Sequence, residues 1–520
     1  MVQCGRPGTP SGGPKDVTPP ELIRAVPDNM SVNFDAKKIR LYFDEYIKLQ
    51  DIQSQLIVSP PLKYPPQITP QGGASKFIDI ILKDTLKENT TYTFNFGQSI
   101  IDNNEGNPNS FLTYTFSTGT YIDSLEVFGV VKDAFKRNPE TFISILLYEI
   151  DSTYTDSTVY QKPPNYITNT LDSLKVFRLQ NLKEGNYAIF GIKDLAKNNV
   201  FDQNGDKIAF LKDTITLPTD EIYELTLFKE VPDYNASIPS FAANNRILFG
   251  YQGEYDSIKI NTLTQLPDSV RTLITKEPEK DTLNYWITPF EADSLVFRMS
   301  NSKFQVVDTF TVKPRKLGVD SLTLTASHRG SIGFKDKFHI AANTPITAVD
   351  SLKFMLMNKD SLEQSFKIEY DTLGNKVNID FELEPNESYN LTVLPGAISD
   401  FFKIENDTLN YRLSTGSYVD YGDFDLTLRG NITYPIIVQL TNQSEEVVRE
   451  IYATSPQLFS FRHLRPGTYY TRIIFDENEN KKWDSGSYLK RLQPEKVVYI
   501  PKILDMRANW EEKFEFIFSE

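Results

Sequence analysis

Apolar and polar residues alternate with a period of two along much of the chain. Ile39, Leu41 and Phe43 alternate with Arg40, Tyr42 and Asp44, and Tyr92, Phe94 and Phe96 alternate with Thr91, Thr93 and Asn95. Successive side chains of a strand point to opposite faces, so such runs predict half-buried antiparallel strands. Clusters of Pro, Gly, Asn and Asp, as in TPQGG and DNNEGNPN, break the runs at short intervals and provide the turn chemistry between strands. Helical periodicity is scarce, and residues 266–276 form the best short helix candidate. The pattern predicts an all-β chain of tandem β-sandwiches.

The chain also repeats itself. FRLQNLKEGNYAIFGIKD (177–194) aligns without a gap to FSFRHLRPGTYYTRIIFD (459–476). Phe177 falls on Phe459, Leu182 on Leu464, Gly185 on Gly467, Tyr187 on Tyr469 and Asp194 on Asp476, at one offset of 282 residues (469 minus 187). Strand, Gly-containing turn and strand in this order predict a hairpin in each copy. Upstream of each copy lies a second echo. LKENTTYTFNF (86–96) resembles LEPNESYNLTV (383–393) and STGTYID (117–123) resembles STGSYVD (414–420), both at an offset of 297 (414 minus 117). A two-domain unit therefore occurs twice, with a separate β segment between.

At roughly 100–200 residues per domain, 520 residues allow about three to five domains. The repeats divide them into a tether (1–18), sandwiches at 19–120 and 121–235, a middle β domain at 236–318, and second sandwiches at 319–418 and 419–520. No apolar run reaches the roughly 18 residues of a membrane-spanning helix. Three His and one Cys exclude a disulfide scaffold and a Cys/His zinc site. A net charge of −14 has the wrong sign for a nucleic-acid partner.

The first twenty residues, MVQCGRPGTPSGGPKDVTPP, are Pro, Gly and small polar residues that bury no core. The chain's one cysteine, Cys4, heads this segment, where a bacterial lipoprotein carries its lipid. Only three residues precede it, so the secretion signal is expected upstream of this start. Pro19, Pro20 and Pro27, the strand IRLYFDEYI (39–47) and LIVSPP (56–61) resemble the SbsA type of bacterial Ig-like domain, and FHIAANTPI (338–346) marks a divergent second copy. The NLKEGNY and HLRPGTY turns resemble carboxypeptidase-regulatory or prealbumin-like sandwiches. Cys4 with SGGPKDVTPP is similar to Ig-like lipoproteins of Bacteroidota envelopes. These resemblances imply a scaffold or binding role without chemistry of its own.

The sharpest candidate site is DENENKKWDSG (476–486). Asp476, Asn478, Asn480 and Asp484 occupy positions 1, 3, 5 and 9 of a calcium loop, with the Lys482 carbonyl at 7. Lys481 replaces the Gly at position 6, and Ser487 the bidentate Glu at position 12. The bland alternative is a loop of Asx-turns closed by Trp483. The first copy keeps Asp194, Asn198 and Asp202 but has Ala196 in place of Asn478, a poorer site. His328, His339 and His463 accompany no nucleophile elbow, phosphate loop or His-Glu-x-x-His run, and a surface turn role suffices for His463. Asp-Ser/Thr-apolar triplets recur from Asp84 to Asp407. They read as turn-to-strand junctions and also resemble the O-glycosylation acceptor of Bacteroidota envelope proteins.

The reading that follows is a non-enzymatic envelope lipoprotein at the outer membrane, a structural or protein-interaction scaffold whose partners are the membrane and other envelope proteins. Calcium is its one candidate cofactor. A second reading is a surface module for a glycan or other ligand, with Tyr285 and Trp286 as an aromatic platform. A third is an accessory subunit of an outer-membrane transport or assembly complex.

Overall fold

A computed structural model describes residues 16–110, 112–170, 175–253, 255, 257–278 and 280–518. Cys4 lies outside them. The fold is all-β: among the described residues the one α-helix is the single turn Ile52–Gln55, and no helix is long and apolar enough to cross a membrane. Residues 266–276 are not helical. Thr272–Lys276 is a strand paired with Thr282–Ile287, since Thr272, Ile274 and Thr275 favour an extended backbone.

The chain divides into two compact units, Met1–Glu230 with Ser485–Pro494, and Val231–Asp484 with Glu495–Glu520. In the first unit the long strand Lys38–Leu49 pairs with Leu22–Val26 and Ser75–Ile81. It faces a sheet of Ile57–Ser59, Thr91–Asn95 and Thr113–Ser117. Ile39, Leu41 and Phe43 from one layer meet Tyr92, Phe94 and Phe116 from the other in one core, as their alternation requires. A second core in this unit forms between two further sheets. One contains Tyr166–Asn169, Ser144–Glu149, Gly185–Lys193 and Lys207–Phe210, the other Val176–Leu182, Leu125–Asp133 and Ile222–Leu227. The segment Ser485–Pro494 belongs to this unit through Tyr488, which is fully buried with ring centroids 5.0 Å from Phe190 and 5.1 Å from Phe210.

Among the described residues the second unit holds three such cores. The first lies between strands such as Arg246–Gln252 and Thr282–Ile287 and the facing Leu295–Asn301. The next is built around Phe338–Ala342, Lys376–Phe381 and Ser388–Val393. The last repeats the second core of the first unit strand for strand. Val447–Ala453, Ile436–Thr441, Gly467–Phe475 and Val497–Tyr499 face Leu458–Leu464, Gly422–Gly430 and Glu511–Phe518. In both copies the final strand runs parallel to the first.

The repeated turn is not a hairpin. Val176–Leu182 and Gly185–Lys193 belong to opposite sheets, as do Leu458–Leu464 and Gly467–Phe475. Each pair carries inward residues, Leu182 and Tyr187 or Leu464 and Tyr469, that face one another across the core rather than lying side by side. A left-handed residue at the bend, Asn181 (φ 59°) or His463 (φ 56°), re-aims the chain. The tyrosine then locks the corner: Tyr187 Oη donates to the Lys183 carbonyl at 3.0 Å, and Tyr469 Oη to that of Arg465 at 2.7 Å.

Candidate functional site

Both acidic loops follow the last residue of a repeated strand, Gly185–Lys193 or Gly467–Phe475. Their backbones match. Lys197 and Asn199 in one, and Glu479 and Lys481 in the other, are left-handed. Asp194 Oδ2 accepts from Asn199 N–H at 2.7 Å, as Asp476 Oδ2 does from Lys481 N–H at 2.9 Å. Asn198 Oδ1 accepts from Val200 N–H (2.9 Å), and Asn480 Oδ1 from Lys482 N–H (3.0 Å). Three of the four C-terminal side chains meet: Asn478 Nδ2 donates to Asp484 Oδ2 at 2.6 Å, and Asn480 Nδ2 donates to the same oxygen, while Asp476 Oδ1 accepts from Asn480 N–H at 3.0 Å. Asp476 is 1% exposed. Trp483 Nε1 donates to the Glu495 carbonyl at 3.0 Å and closes the loop.

A further carboxylate completes each loop and escaped sequence reasoning. In the second copy Glu495 accepts from Glu477 N–H (2.8 Å) and Asp484 N–H (3.0 Å). In the first copy Asp206 accepts from Leu195 N–H (2.9 Å) and Asp202 N–H (2.9 Å). The two side chains do the same work at different spacings, because residues 485–494 separate Asp484 from Glu495. The visible signal was the loss of the 282-residue offset after Asp484, where Tyr488 stands opposite Asp206.

Burial pushes the Glu495 carboxyl above its ordinary range, and the charges of Asp484 and Asp476 push it the same way. Burial likewise raises Asp206, with Asp194 and Asp202 adding to the effect. Asp194 Oδ1 is buried without a hydrogen-bond partner. Each loop is thus a knot of like charges held by backbone N–H donors, the Asx-turn arrangement. Among the described residues no group of three or more His, Cys, Asp or Glu is arranged to hold a metal ion.

The other candidates are placed differently. Tyr285 and Trp286 are each 2% exposed, so they form no platform: Tyr285 packs inside the middle sandwich, and Trp286, on the opposite face of Thr282–Ile287, is covered by Arg246 and by Phe402 (ring centroids 6.2 Å). His463 is not a free surface turn, since its ring stacks on Tyr418 (centroids 4.9 Å, 15° apart) beside Phe334. His328 Nδ1 lies 3.0 Å from Ser327 Oγ and its Nε2 lies 3.5 Å from Asp336 Oδ2. The second distance exceeds the reach a base-orienting carboxylate needs. Asp336 is moreover engaged by Gly333 N–H and Arg465, each at 2.9 Å, and Ser327 Oγ accepts from His339 N–H at 3.0 Å.

Residues 16–118, the first sandwich, match the family of the bacterial Ig-like domain. No curated protein sequence matches the chain. Among solved structures, the surface layer protein SbsC (domains 1–6) is similar at 11% identity over 94% of this chain and 67% of that one, with a TM-score of 0.15. Three consecutive titin domains give 9% identity over 54% and 98%, with a TM-score of 0.15. The major pilin subunit BcpA of Bacillus cereus gives 11% over 76% and 99%, with a TM-score of 0.14.

Proposed function

We propose that this chain is a non-enzymatic scaffold of the bacterial cell envelope, held at the outer membrane by a lipid on Cys4 and presenting its sandwiches to other envelope proteins. The observation that carries this reading is the series of sandwiches, each closed on its own aromatic and aliphatic core, opening with a bacterial Ig-like domain. Fold alone does not define function, but domains of this kind hold and space rather than catalyse. The Pro/Gly-rich composition behind the lone cysteine supports the anchor, because a lipid there would stand 18 residues ahead of the first strand at Leu22 (22 minus 4). In the same reading the C-terminal loop binds calcium weakly, and the first-copy loop more weakly or not at all. The ligands in that reading are Asp476, Asn478, Asn480 and Asp484, and the affinity expected without a bidentate position-12 Glu is about 10⁻⁴–10⁻³ M, as in extracellular modules.

Fractionation of the native host tests the anchor. The wild type is expected with the outer membrane, and Cys4→Ser, expressed with the upstream sequence of the host gene, in the soluble fraction. A variant that stays on the membrane refutes it.

A further inference from the structure

We propose that the cleft between the sandwiches of 324–414 and 422–518 binds a small organic ligand through an oxyanion, a carboxylate or a phosphate. Both sandwiches belong to the second compact unit. The cleft encloses about 430 Å³, and Lys335, Lys337, Arg449 and Arg465 line it with one carboxylate, Asp336. Four cations gathered around one anion stand out in a chain whose net charge is −14.

Asp336 does not discharge this cluster. Its Oδ2 accepts from Arg465 Nη2 and from Gly333 N–H, while Arg449 Nη2 stands 3.7 Å from Oδ1, too far for a hydrogen bond. Arg449 Nε is buried and has no acceptor. His463 Nδ1, on the same cleft wall, is also buried and unpartnered. Lys335 and Lys337 are exposed at the rim and make no ion pair among the described residues. Arg449 Nη1 donates to the Val448 carbonyl at 2.7 Å, and its Nη2, which makes no hydrogen bond among the described residues, is the donor left to meet an oxygen of a carboxylate or phosphate, with free ammonium groups at the mouth of the pocket. The volume exceeds that of a bare ion and suits an anion carried on a body such as a sugar ring.

The first copy shows that the fold does not require these charges. Arg449 pairs with Leu440, which pairs with Thr471; the same ladder in the first copy runs Tyr166, Leu147, Ile189. Arg449 thus stands where the first copy buries Tyr166 against Tyr187. His463 stands where Asn181 is fully bonded, donating to the Asp123 carbonyl and facing Thr93 Oγ1. The same junction, built without a cation on that strand, folds in one copy and carries unpaired donors in the other.

Titration calorimetry of the full chain with glucuronate, glycerol phosphate and uncharged glucose tests this. Glucuronate or glycerol phosphate is expected to bind at millimolar concentration, more weakly as salt rises, and glucose not at all; which of the two anions binds more tightly identifies the oxyanion. Arg449→Gln is expected to weaken binding at least about tenfold, the loss of a charge-assisted hydrogen bond. The double variant Lys335→Gln/Lys337→Gln removes only exposed, unpaired groups; it should weaken binding several-fold at an unchanged melting temperature. Absence of heat with both anions, equal binding of glucose, or anion affinity unaltered in both variants overturns the proposal.

Discussion

Tyr187 and Tyr469 hold their corners through one hydroxyl each, and a related device recurs in the other pair of repeated segments. Tyr92 Oη accepts from Lys87 N–H at 2.9 Å, and Tyr389 Oη from Glu384 N–H at 2.7 Å. A threonine beside each closes the same loop: Thr90 N–H donates to Thr118 Oγ1, and Glu387 N–H to Thr415 Oγ1, both at 3.0 Å. These bonds give Tyr and Thr the same work at matching positions of both copies. Tyr187→Phe leaves the Lys183 carbonyl without its donor in a buried corner and should cost about 1 kcal/mol. Amide exchange along Gly185–Lys193 should then run about fivefold faster, and Tyr469→Phe should have the same effect on Gly467–Phe475. Unchanged exchange would show that ring packing alone makes the corner. The tyrosines were legible as repeat landmarks. Their bonding was not, since it depends on the chain crossing between sheets.

At the scale of the loop, the calcium proposed above would compete with protons. Glu495 and Asp206 have raised carboxyl pKa values, so in calcium-free protein the folded state holds these protons more tightly than the unfolded one. Their contribution to stability therefore falls as pH rises from the ordinary carboxylate range through the raised values. Calcium offsets that loss only by displacing the protons, so its stabilising effect should be larger at about pH 7 than at about pH 5. Thermal melts with calcium and with chelator measure it. Asp484→Ala should abolish most of the calcium increment, and Asp202→Ala little of it, because Ala196 leaves the first loop one amide short. Glu495→Ala should also abolish the increment. It should further destabilise the loop by about 1 kcal/mol without calcium, because two part-buried N–H groups lose their acceptor. Coincident melts of the wild type would leave the Asx-turns and Trp483 as the whole account of this motif. Four of the loop's residues were readable from spacing alone; Glu495 was not, because an insertion carried it eleven residues from Asp484 (495 minus 484).

For the whole molecule, the Asp-Ser/Thr-apolar triplets offer a distributed surface. Thr85, Ser124, Thr214, Ser269, Ser321, Ser351, Ser361, Thr372 and Thr408 are all exposed, Ser257, Thr282 and Ser294 are half-buried, and the triplet at Asp172 lies outside the described residues. If they accept glycans, the intact mass of protein from the native host should exceed the combined mass of chain and lipid by sugar increments. A mass without that excess rejects the idea. Local pattern determined a great deal of this protein. Period-two alternation specified the all-β class, because each strand must turn one face inward, and the constant offsets revealed the duplication. They could not determine which sheet a strand joins. The same alternation fits a hairpin partner or a partner across the core, and only packing of Leu182 against Tyr187 chose the second. Nor could they reveal which charges meet: Arg449, Arg465 and Asp336 lie far apart in the chain, and burial, not sequence distance, decides which donors are left without an acceptor. Burial likewise took Tyr285 and Trp286 out of solvent, since a strand covered on both faces reads in sequence like an exposed aromatic pair.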